Sequence, residues 1–328
     1  MIGNMSALKA SIIAIFFITT TIGNCLVLHV GRKHWGHTSG HITHFLVFHL
    51  SIADLIVTMF CMPFEFTEEL LEKWLFGRAT CKIIEYIQAS ALGASVYIIT
   101  FIAVDRYLSI VRPLTSKLKA RHGKYIIIFS WLVPVLISTP YLVIFDIELE
   151  QHSFRNETTM ICETRGFPYP WLNKCYWVVE IYFTFILPLA IMAFCYSRLV
   201  KKILNLKKVG EPRQPSQHNQ LSASSDPIEH NLRRIKLKSV KLTIAFVTIF
   251  IICWTPKIVL DFMRVTRGTR EVHRRTAIYE VALFMSYMNE TLNPVLYALF
   301  DPYFSDKIMR MFGKKERSFG GATTDTSE

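Results

Sequence analysis

The sequence predicts an all-α membrane protein, in which a seven-transmembrane helix bundle is followed by a short amphipathic eighth helix. Hydrophobic residues make up 51% of the 328 residues and charged residues only 19%, which is more apolar content than one soluble core requires. Several apolar runs reach about 20 residues, the length that a helix needs to cross a bilayer. The basic residues behind the net charge of +12 collect beside these runs, which indicates membrane topology rather than binding to nucleic acid.

Seven candidate spans follow one another along the chain. They cover about 8–30, 42–64, 80–107, 125–145, 172–199, 239–263 and 276–300. The links after spans three and five are rich in Lys and Arg, and links of that kind lie in the cytoplasm. We therefore expect a multi-pass protein of the plasma membrane, with its N-terminus outside and its C-terminus in the cytoplasm. The Arg-rich link 264–275 then lies outside, against the general rule.

The remaining segments complete the domain organisation. Residues 1–7 are predicted to be an extracellular N-terminus and residues 8–300 the transmembrane domain. The polar composition of about 205–232 predicts a disordered cytoplasmic loop. Residues 301–313 place apolar side chains on one face and basic ones elsewhere, which is typical of a helix lying on membrane lipids. Residues 314–328 are expected to be a cytoplasmic tail with Ser and Thr that kinases could modify.

Ionisable and amide side chains interrupt several of the apolar runs. Asn24 lies in span one, Asp54 in span two, and Asn289, Glu290 and Asn293 in span seven. Such groups are costly at bilayer depth unless they are paired or face water. They predict a shared hydrated cluster inside the bundle; the alternative is a set of unrelated polar residues that are each satisfied locally.

Two further features indicate where the protein could change conformation. Asp105, Arg106 and Tyr107 lie at the inner end of span three, where an ion pair between acid and base could be broken by protonation or by a partner; a simple cluster of charges at a helix end is the alternative. Pro256 and Pro294 remove backbone hydrogen bonds within spans six and seven and bend them. Bent helices can act as hinges, although membrane helices also tolerate proline for packing alone.

Taken together, these residues resemble the rhodopsin-like (class A) family of G-protein-coupled receptors, in particular receptors of the neuropeptide type. The resemblance extends from Gly23 to about Phe312, with one motif in each span. The motifs are, in order, Gly23-Asn24; Leu50-Ser51-Ile52-Ala53-Asp54; Asp105-Arg106-Tyr107; Trp131; Pro188 with Tyr196; Cys253-Trp254-Thr255-Pro256; and Asn293-Pro294-Val295-Leu296-Tyr297.

The resemblance implies a receptor in which an extracellular ligand moves span six outward and opens a cytoplasmic cleft for a heterotrimeric G protein. In that scheme Arg106 is held by Asp105 at rest and is then freed to contact Tyr196 and the G protein. Kinases and arrestin are the partners expected at the C-terminal tail. The family's switch roles transfer to Asp105, Arg106, Tyr107, Tyr196, Trp254, Pro256, Asn293, Pro294 and Tyr297.

The resemblance also implies an allosteric sodium ion, and no other cofactor is expected. The matching positions are Asp54, Ser95, Asn289 and Asn293. Glu290 departs from the small residue that the family usually has beside this cluster. It could add a second carboxylate to the cluster, or it could face span one and be hydrogen-bonded there.

Covalent features of the outer face follow from the same resemblance and from short motifs. Cys81, at the top of span three, and Cys162, in the second outer link, match the family's disulfide bridge, whereas Cys175 has no obvious partner. Asn156 and Asn4 begin Asn-X-Thr/Ser motifs that are acceptors for glycosylation on the outer side.

The outer half of the spans favours a peptide as the ligand. Span seven has no Lys for a retinal Schiff base, and Gln88 replaces the aspartate with which the family's amine receptors hold their ligand. A polar cavity with several carboxylates suits a short peptide with Arg or an amidated end, although Lys257 and Asp261 could simply pair with each other. The predicted ligand-binding residues are Glu85, Gln88, Glu180, Lys257, Asp261, Arg264, Glu280 and Tyr287.

Other classes of function remain as alternatives. A receptor of the same fold could take a non-peptide ligand or be a constitutively active orphan. A membrane transporter is a more distant possibility, because the internal repeats and broken helices of transporters are missing from the sequence. The sequence predicts no enzyme, since no nucleophile, metal or phosphate-cradling motif lies in a suitable context.

Overall fold

The computed structural model describes residues 2–32, 42–112, 120–152, 157–209, 227–267, 277–300 and 302–311 as a helical bundle with one outer β-hairpin. This confirms the predicted fold class. The elements are α1 (Ile2–Arg32), α2 (Ile42–Phe60), α3 (Met62–Leu71), α4 (Gly77–Val111), α5 (Ala120–Ser138), α6 (Tyr141–Ile144), β1 (Phe145–His152), β2 (Glu157–Thr164), α7 (Pro170–Ile181), a π-helical turn (Tyr182–Ile186), α8 (Leu187–Val209), α9 (Pro227–Arg267), α10 (Ala277–Phe300) and α11 (Pro302–Met311).

These elements form the seven predicted spans. Span one is α1, span two is α2 with α3, span three is α4, span four is α5 with α6, span five runs from α7 through α8, and spans six and seven are α9 and α10. Within the described residues, six spans are long and apolar enough to cross a membrane by length and composition alone. Span seven is not among them, because Glu280, Asn289, Glu290 and Asn293 reduce the hydropathy of α10.

Span three lies at the centre of the bundle. It packs against α2, α5 and α8 and also contacts α6 and α9, and it is the most buried of the spans. Helix α10 packs against both α9 and α1, so that the first and last spans are neighbours and the ring of helices closes. A polar helix such as α10 is tolerated there because its polar face is directed into the bundle rather than toward lipid.

Two glycines permit close contact between spans. A Cβ atom added to Gly23 of α1 would lie 2.9 Å from Cβ and Cγ of Pro294 in α10, and one added to Gly93 of α4 would lie 2.6 Å from Cβ of Pro134 in α5. Small residues at helix crossings let membrane helices pack by van der Waals contact where no hydrophobic effect between helices is available. The glycine of the first sequence motif therefore has a packing role against the proline of the last.

Proline also explains where two spans change their helical geometry. Pro63 lies in the first turn of α3, where its missing N–H is not needed, and α2 ends at Phe60 just before it. In span five the π-helical turn immediately precedes α8, whose second residue is Pro188. A π turn is one of the ways in which a helix accommodates a missing backbone hydrogen bond.

The second outer link forms an antiparallel β-hairpin that was not predicted from the sequence. Strand β1 pairs with β2 from Phe145 opposite Thr164 to His152 opposite Glu157. The alternation of apolar and acidic residues in Phe145-Asp146-Ile147-Glu148-Leu149-Glu150 is the pattern of a strand. This pattern was overlooked because span four was predicted to run to residue 145. In the structure α5 ends at Ser138 and the short helix α6 ends at Ile144, so that β1 begins at Phe145.

Three predicted boundaries differ from the structure. Helix α1 begins at Ile2, so that the predicted N-terminal segment 1–7 is helical from that residue onward. The prediction of a disordered loop at 205–232 was wrong at both ends, because α8 continues to Val209 and α9 begins at Pro227. Lys, Leu and Arg are good helix formers, so these helices continue beyond their apolar parts; residues 210–226 lie outside the described residues. Helix α11 occupies 302–311 of the predicted amphipathic segment 301–313.

Candidate functional site

An open cavity lies at the outer end of the bundle between spans three, six and seven. Its volume is about 560 Å³, a figure that includes open space at its mouth. The cavity is lined by Glu85, Gln88, Ala89 and Leu92 of α4, Tyr141 of α6, Phe145 of β1, Lys257, Leu260 and Arg264 of α9, and Tyr279, Ala282, Leu283 and Ser286 of α10.

The spacing of residues along α4 and α9 places polar side chains on two walls of the cavity. Glu85 and Gln88 are three residues apart on α4 and therefore lie on one face of that helix. Lys257 and Arg264 are seven residues apart on α9 and lie on one face for the same reason. One wall thus carries a carboxylate and an amide, and the opposite wall carries two basic groups.

A chain of buried ion pairs connects the basic wall to span five. The Lys257 ammonium lies 3.4 Å from the Glu180 carboxylate and 2.7 Å from Asp261, and the Arg264 guanidinium lies 3.0 Å from the other oxygen of Asp261. The Tyr141 hydroxyl of span four donates to Glu180 at 2.8 Å. All four charged side chains are at least four-fifths buried. Two acids and two bases therefore balance each other across spans five and six.

The same network includes an aromatic contact. The guanidinium of Arg264 lies 4.6 Å from the ring centroid of Trp177 in α7, a cation–π arrangement that is strengthened when both groups are desolvated. Lys257 and Asp261 do pair with each other, as considered from their spacing, but each also has a second partner in the network. The pair is therefore part of a junction between helices rather than an isolated contact within α9.

Two buried acceptors at the site have no hydrogen-bond partner among the described residues. They are Oε1 of Gln88 and Oε2 of Glu180. Gln88 lines the cavity and is only 7% exposed, and its side-chain carbonyl oxygen is itself buried. Leaving such an acceptor unpaired is costly, so a ligand that donates a hydrogen bond there would be stabilised.

Four of the eight predicted ligand-binding residues do not line the cavity. Glu180 and Asp261 belong to the ion-pair network with its basic residues, and the other two are placed elsewhere. Glu280 forms an ion pair with Lys9 of α1, which also lies 3.3 Å from Glu69 of α3. Tyr287 is fully buried and packs against Phe16 of α1, with 6.3 Å between ring centroids. Neither residue lines the cavity. Both residues lie in the outer half of span seven, but on the face of α10 that contacts span one.

Sequence reasoning missed several residues of the cavity wall. Tyr141, Tyr279 and Ser286 line the cavity, and Tyr141 in addition hydrogen-bonds Glu180. For Tyr279 and Ser286 a signal existed, because they are spaced by seven residues and share a helical face. Tyr141 follows the short break between α5 and α6, and nothing in the local sequence indicates that it turns inward.

The predicted disulfide between Cys81 and Cys162 is present. It joins the first turns of α4 to β2, and the backbone N–H of Cys162 additionally donates to the Glu68 carboxylate of α3 at 3.1 Å. The hairpin is thereby fixed above the cavity, to which it contributes Phe145. Cys175 is an exposed free thiol. The proposed glycosylation acceptor Asn156 lies outside the described residues, as does the side chain of Asn4.

A second polar group of residues surrounds Asp54 in the middle of the bundle. The Ser95 hydroxyl donates to one oxygen of Asp54 at 3.2 Å, and the Asn293 amide donates to the other at 2.9 Å. Asn289, one helical turn before Asn293, is also buried. Carboxylate, hydroxyl and amide oxygens are the donors that hard cations prefer, so these residues fit the sodium ion that the resemblance implies.

Glu290 lies fully buried beside this cluster. Both of its carboxylate oxygens lack a hydrogen-bond partner among the described residues, and its charge interacts with that of Asp54. The sequence left two alternatives for Glu290: a second carboxylate in the cluster, or a residue that faces span one and is hydrogen-bonded there. In the structure it is Thr291, the next residue, that makes such a bond, with 2.6 Å between its hydroxyl oxygen and that of Thr20.

The inner end of span three contains the ion pair that its sequence predicted. The Arg106 guanidinium lies 3.0 Å from the Asp105 carboxylate, and the Thr43 hydroxyl of α2 donates to the same oxygen at 2.5 Å. Tyr107 is largely buried and its ring contacts Phe194 of α8, with 5.7 Å between centroids. The pair is therefore connected to span two rather than being a solvated cluster at a helix end.

The other predicted switch residues lie along spans five to seven. Trp254 is buried in α9 and contacts Phe250, with 5.7 Å between ring centroids. Tyr297 is buried between Phe246 of α9 and Phe304 of α11, at 5.2 and 6.2 Å. The remaining predicted switch residues are Tyr196, half-buried in α8, Pro256 within α9, and Asn293 and Pro294 within α10.

Comparison with known proteins supports the interpretation of the fold. Residues 23–297 match the model of the rhodopsin family of seven-transmembrane receptors. The chain is 30% identical over 264 residues to the gonadotropin-releasing hormone receptor of Sus scrofa, covering 78% of this chain and 76% of that protein. It is 25% identical over 314 residues to neuropeptide FF receptor 2 of Rattus norvegicus, covering 92% of this chain and 71% of that protein. The chain therefore belongs to the rhodopsin family of seven-transmembrane receptors, a family of multi-pass membrane proteins that are not enzymes.

Proposed function

We propose that this receptor binds an extracellular peptide in the outer cavity and activates a heterotrimeric G protein. The observation that carries the proposal is the cavity itself, in which an acidic and amide wall faces a basic wall. Gln88, whose side-chain oxygen has no hydrogen-bond partner among the described residues, is one of the residues that line this space. A ligand with several hydrogen-bonding groups of both kinds suits these walls better than a small apolar ligand would.

The walls suggest how the peptide is oriented. The basic residues Lys257 and Arg264 pair with Glu180 and Asp261, and Glu85 and Gln88 line the cavity from the other side. A guanidinium or an amidated C-terminus could donate hydrogen bonds to both of these side chains. We therefore expect a basic or amidated end of the peptide to bind against span three.

The relatives support a peptide as the ligand. Both of the relatives described above are named as receptors for a hormone or a neuropeptide.

The proposed activation follows the buried contacts from the cavity inward. A ligand that competes for Glu180 or Asp261 weakens the network that joins span six to span five, and Trp254 lies three residues before Lys257 on the same helix. Movement of α9 about Pro256 would carry its inner half outward. Arg106 would then leave Asp105 for Tyr196 and the G protein, and Tyr297 would turn inward.

Further proposals concern the surroundings of the receptor. The N-terminus lies outside the cell and the C-terminus in the cytoplasm, where kinases and arrestin act on the tail. Asp54, Ser95, Asn289 and Asn293 hold an allosteric cation, for which the family resemblance implies sodium. Helix α11 lies on membrane lipids, with Phe304 buried against the bundle and Lys307 and Arg310 on the same short helix.

The experiment that tests the proposal is a screen of amidated peptides on cells that express this chain, with calcium and cyclic AMP measured together. Once an active peptide is found, Gln88→Ala and Glu180→Gln are expected to reduce its potency by about tenfold or more, since each removes a buried polar contact. Surface expression is measured in parallel. Glu148→Gln, on the exposed hairpin, is a control that alters a carboxylate outside the cavity.

The result also separates the alternatives. High signalling without any peptide would favour a constitutively active receptor, and a response only to non-peptide compounds would favour a different ligand class. A peptide whose potency is the same on Gln88→Ala, Glu180→Gln and the unmodified receptor would contradict the proposed binding site.

A further inference from the structure

Glu290 is a buried ionisable group that the proposed activation does not use. It is 0% exposed, and neither carboxylate oxygen has a hydrogen-bond partner among the described residues. In the part of the chain that the structure describes, no Lys or Arg forms an ion pair with Glu290 or with Asp54. An uncompensated carboxylate at this depth is costly, so a binding role has to be considered.

The position of Glu290 places it next to oxygens that are already gathered around Asp54. Asn293 lies three residues later on α10, hence on the same face, and its amide nitrogen is 2.9 Å from Asp54. The amide oxygen of Asn293 has no partner among the described residues although the side chain is only 1% exposed. Ser95 contributes a hydroxyl at 3.2 Å from Asp54. Ser95 and Asn293 thus contact Asp54 directly, and Glu290 lies one helical turn before Asn293 on the same face of α10.

We infer that Asp54 and Glu290 together form a site for a divalent cation of the Ca²⁺ and Mg²⁺ class. The inference builds on the proposed cation site and changes the ion that it holds. A monovalent ion neutralises a single carboxylate. Two carboxyl groups in a low dielectric either keep one proton between them or, when both are ionised, need an ion with two positive charges, which would displace that proton to the solvent. The donors are all oxygens, which is the ligand type that both divalent ions take.

The ion would connect spans two, three and seven. Asp54 belongs to α2, Ser95 to α4, and Glu290 with Asn293 to α10. Pro294, where α10 bends, immediately follows Asn293. A cation held by these residues therefore stabilises one arrangement of span seven, and its release would accompany any motion that separates α10 from α2.

The test measures thermal unfolding of the purified full-length receptor in different salts at matched ionic strength, with choline chloride as the reference. About 10 mM CaCl₂ or MgCl₂ is expected to raise the unfolding midpoint by roughly 3 °C, because it saturates a site of millimolar affinity. Glu290→Gln should abolish the divalent response and leave a response to NaCl. Asp54→Asn should abolish both responses.

Two controls make the result specific. Glu280→Gln alters a carboxylate on the same helix that already pairs with Lys9, so this variant should keep the divalent response of the unmodified receptor. Equilibrium dialysis of the unmodified receptor with ⁴⁵Ca²⁺ should give one bound ion per chain, and this measurement does not depend on how well any variant folds.

Several outcomes would overturn the inference. Stabilisation of the unmodified receptor by NaCl but not by either divalent salt would leave the proposed sodium site intact and refute the role of Glu290. A divalent response that persists in Glu290→Gln would refute it as well. The absence of any cation response would refute both this inference and the cation site on which it rests, while the peptide screen described above would be unaffected.

Discussion

Single buried polar residues determine which contacts between the spans can be broken. At the inner end, Thr43 of α2 and Arg106 both bind the same oxygen of Asp105, at 2.5 and 3.0 Å. A hydrogen bond to a charged group contributes more than one between neutral groups. Thr43 therefore fixes the orientation in which Asp105 can hold Arg106, although it is absent from the sequence motif itself.

We predict that Thr43→Val increases signalling in the absence of ligand. The substitution keeps the shape of the side chain but removes the donor, which should weaken the ion pair by about 1 kcal/mol and raise basal activity several-fold. Basal cyclic AMP or calcium is measured at equal surface expression. Thr58→Val is the matched control, because the Thr58 hydroxyl bonds only the Asp54 carbonyl of its own helix at 2.7 Å. Equal basal activity in both variants would contradict the prediction.

The sequence predicted contacts at the residue scale where the partners are close in the chain or belong to a known motif. The pair of Asp105 and Arg106 is an example, since both residues are adjacent at a helix end. The contact of Glu280 with Lys9 could not be predicted, because these residues are 271 positions apart. Which partner a charge selects depends on the rotation of each helix in the bundle, and hydropathy alone leaves that rotation undetermined.

At the scale of elements, the spans are positioned by close backbone contacts. Gly93 of α4 allows Pro134 of α5 to approach so closely that an added Cβ would lie 2.6 Å from the proline ring. The proline ring is rigid and cannot move aside as a flexible side chain would. Spans three and four would therefore have to separate if this glycine were replaced.

We predict that Gly93→Ala lowers the free energy of unfolding by about 1–3 kcal/mol through overpacking. The measurement is the unfolding midpoint of the purified receptor. Gly31→Ala serves as the control on α1, since its added Cβ would lie 3.3 Å from the end of the Phe48 ring, which can rotate, and alanine is the better helix former. The packing explanation fails if Gly93→Ala is as stable as Gly31→Ala.

The outer hairpin is the element whose position depends most on one covalent bond. Cys162 of β2 is joined to Cys81 of α4, and the hairpin supplies Phe145 to the cavity wall. We predict that Cys81→Ala with Cys162→Ala reduces peptide potency more than tenfold, because the loop gains conformational freedom that the ligand must then restrict. Potency and surface expression are measured together. Cys175→Ala, which removes an exposed free thiol, should leave potency unchanged.

Sequence patterns predicted the elements better than their ends. The seven spans, the polar α10 among them, follow from apolar runs of about 20 residues. The β-hairpin was missed because Phe145 could continue span four equally well, and the extensions of α8 to Val209 and of α9 back to Pro227 were missed because helices can continue into water. Helix ends depend on solvation and capping, which leave weaker signals than burial.

At the scale of the whole molecule, span six connects the two ends of the receptor. Its outer half is held to span five by the contacts of Lys257 with Glu180 and of Arg264 with Trp177, and its inner half packs on Tyr297 through Phe246. Pro256 lies between these two regions and removes a backbone hydrogen bond. A change in the outer contacts can therefore alter the bend of α9 at Pro256. A ligand shifts the balance between two bends of this helix only if it binds the receptor more tightly in one of them.

We predict that an activating peptide increases the distance between the inner ends of spans three and six. Spin labels at Arg112→Cys and Lys241→Cys, two exposed positions, should separate by roughly 5 Å, a displacement of about one helical turn. Cys25 and Cys175, the two exposed thiols among the described residues, are first replaced by Ala. A label pair at Arg112→Cys and Lys202→Cys, between spans three and five, is the reference and should change less. An unchanged distance between spans three and six, in the presence of a saturating peptide and G protein, would show that the outer network does not act through the bend at Pro256.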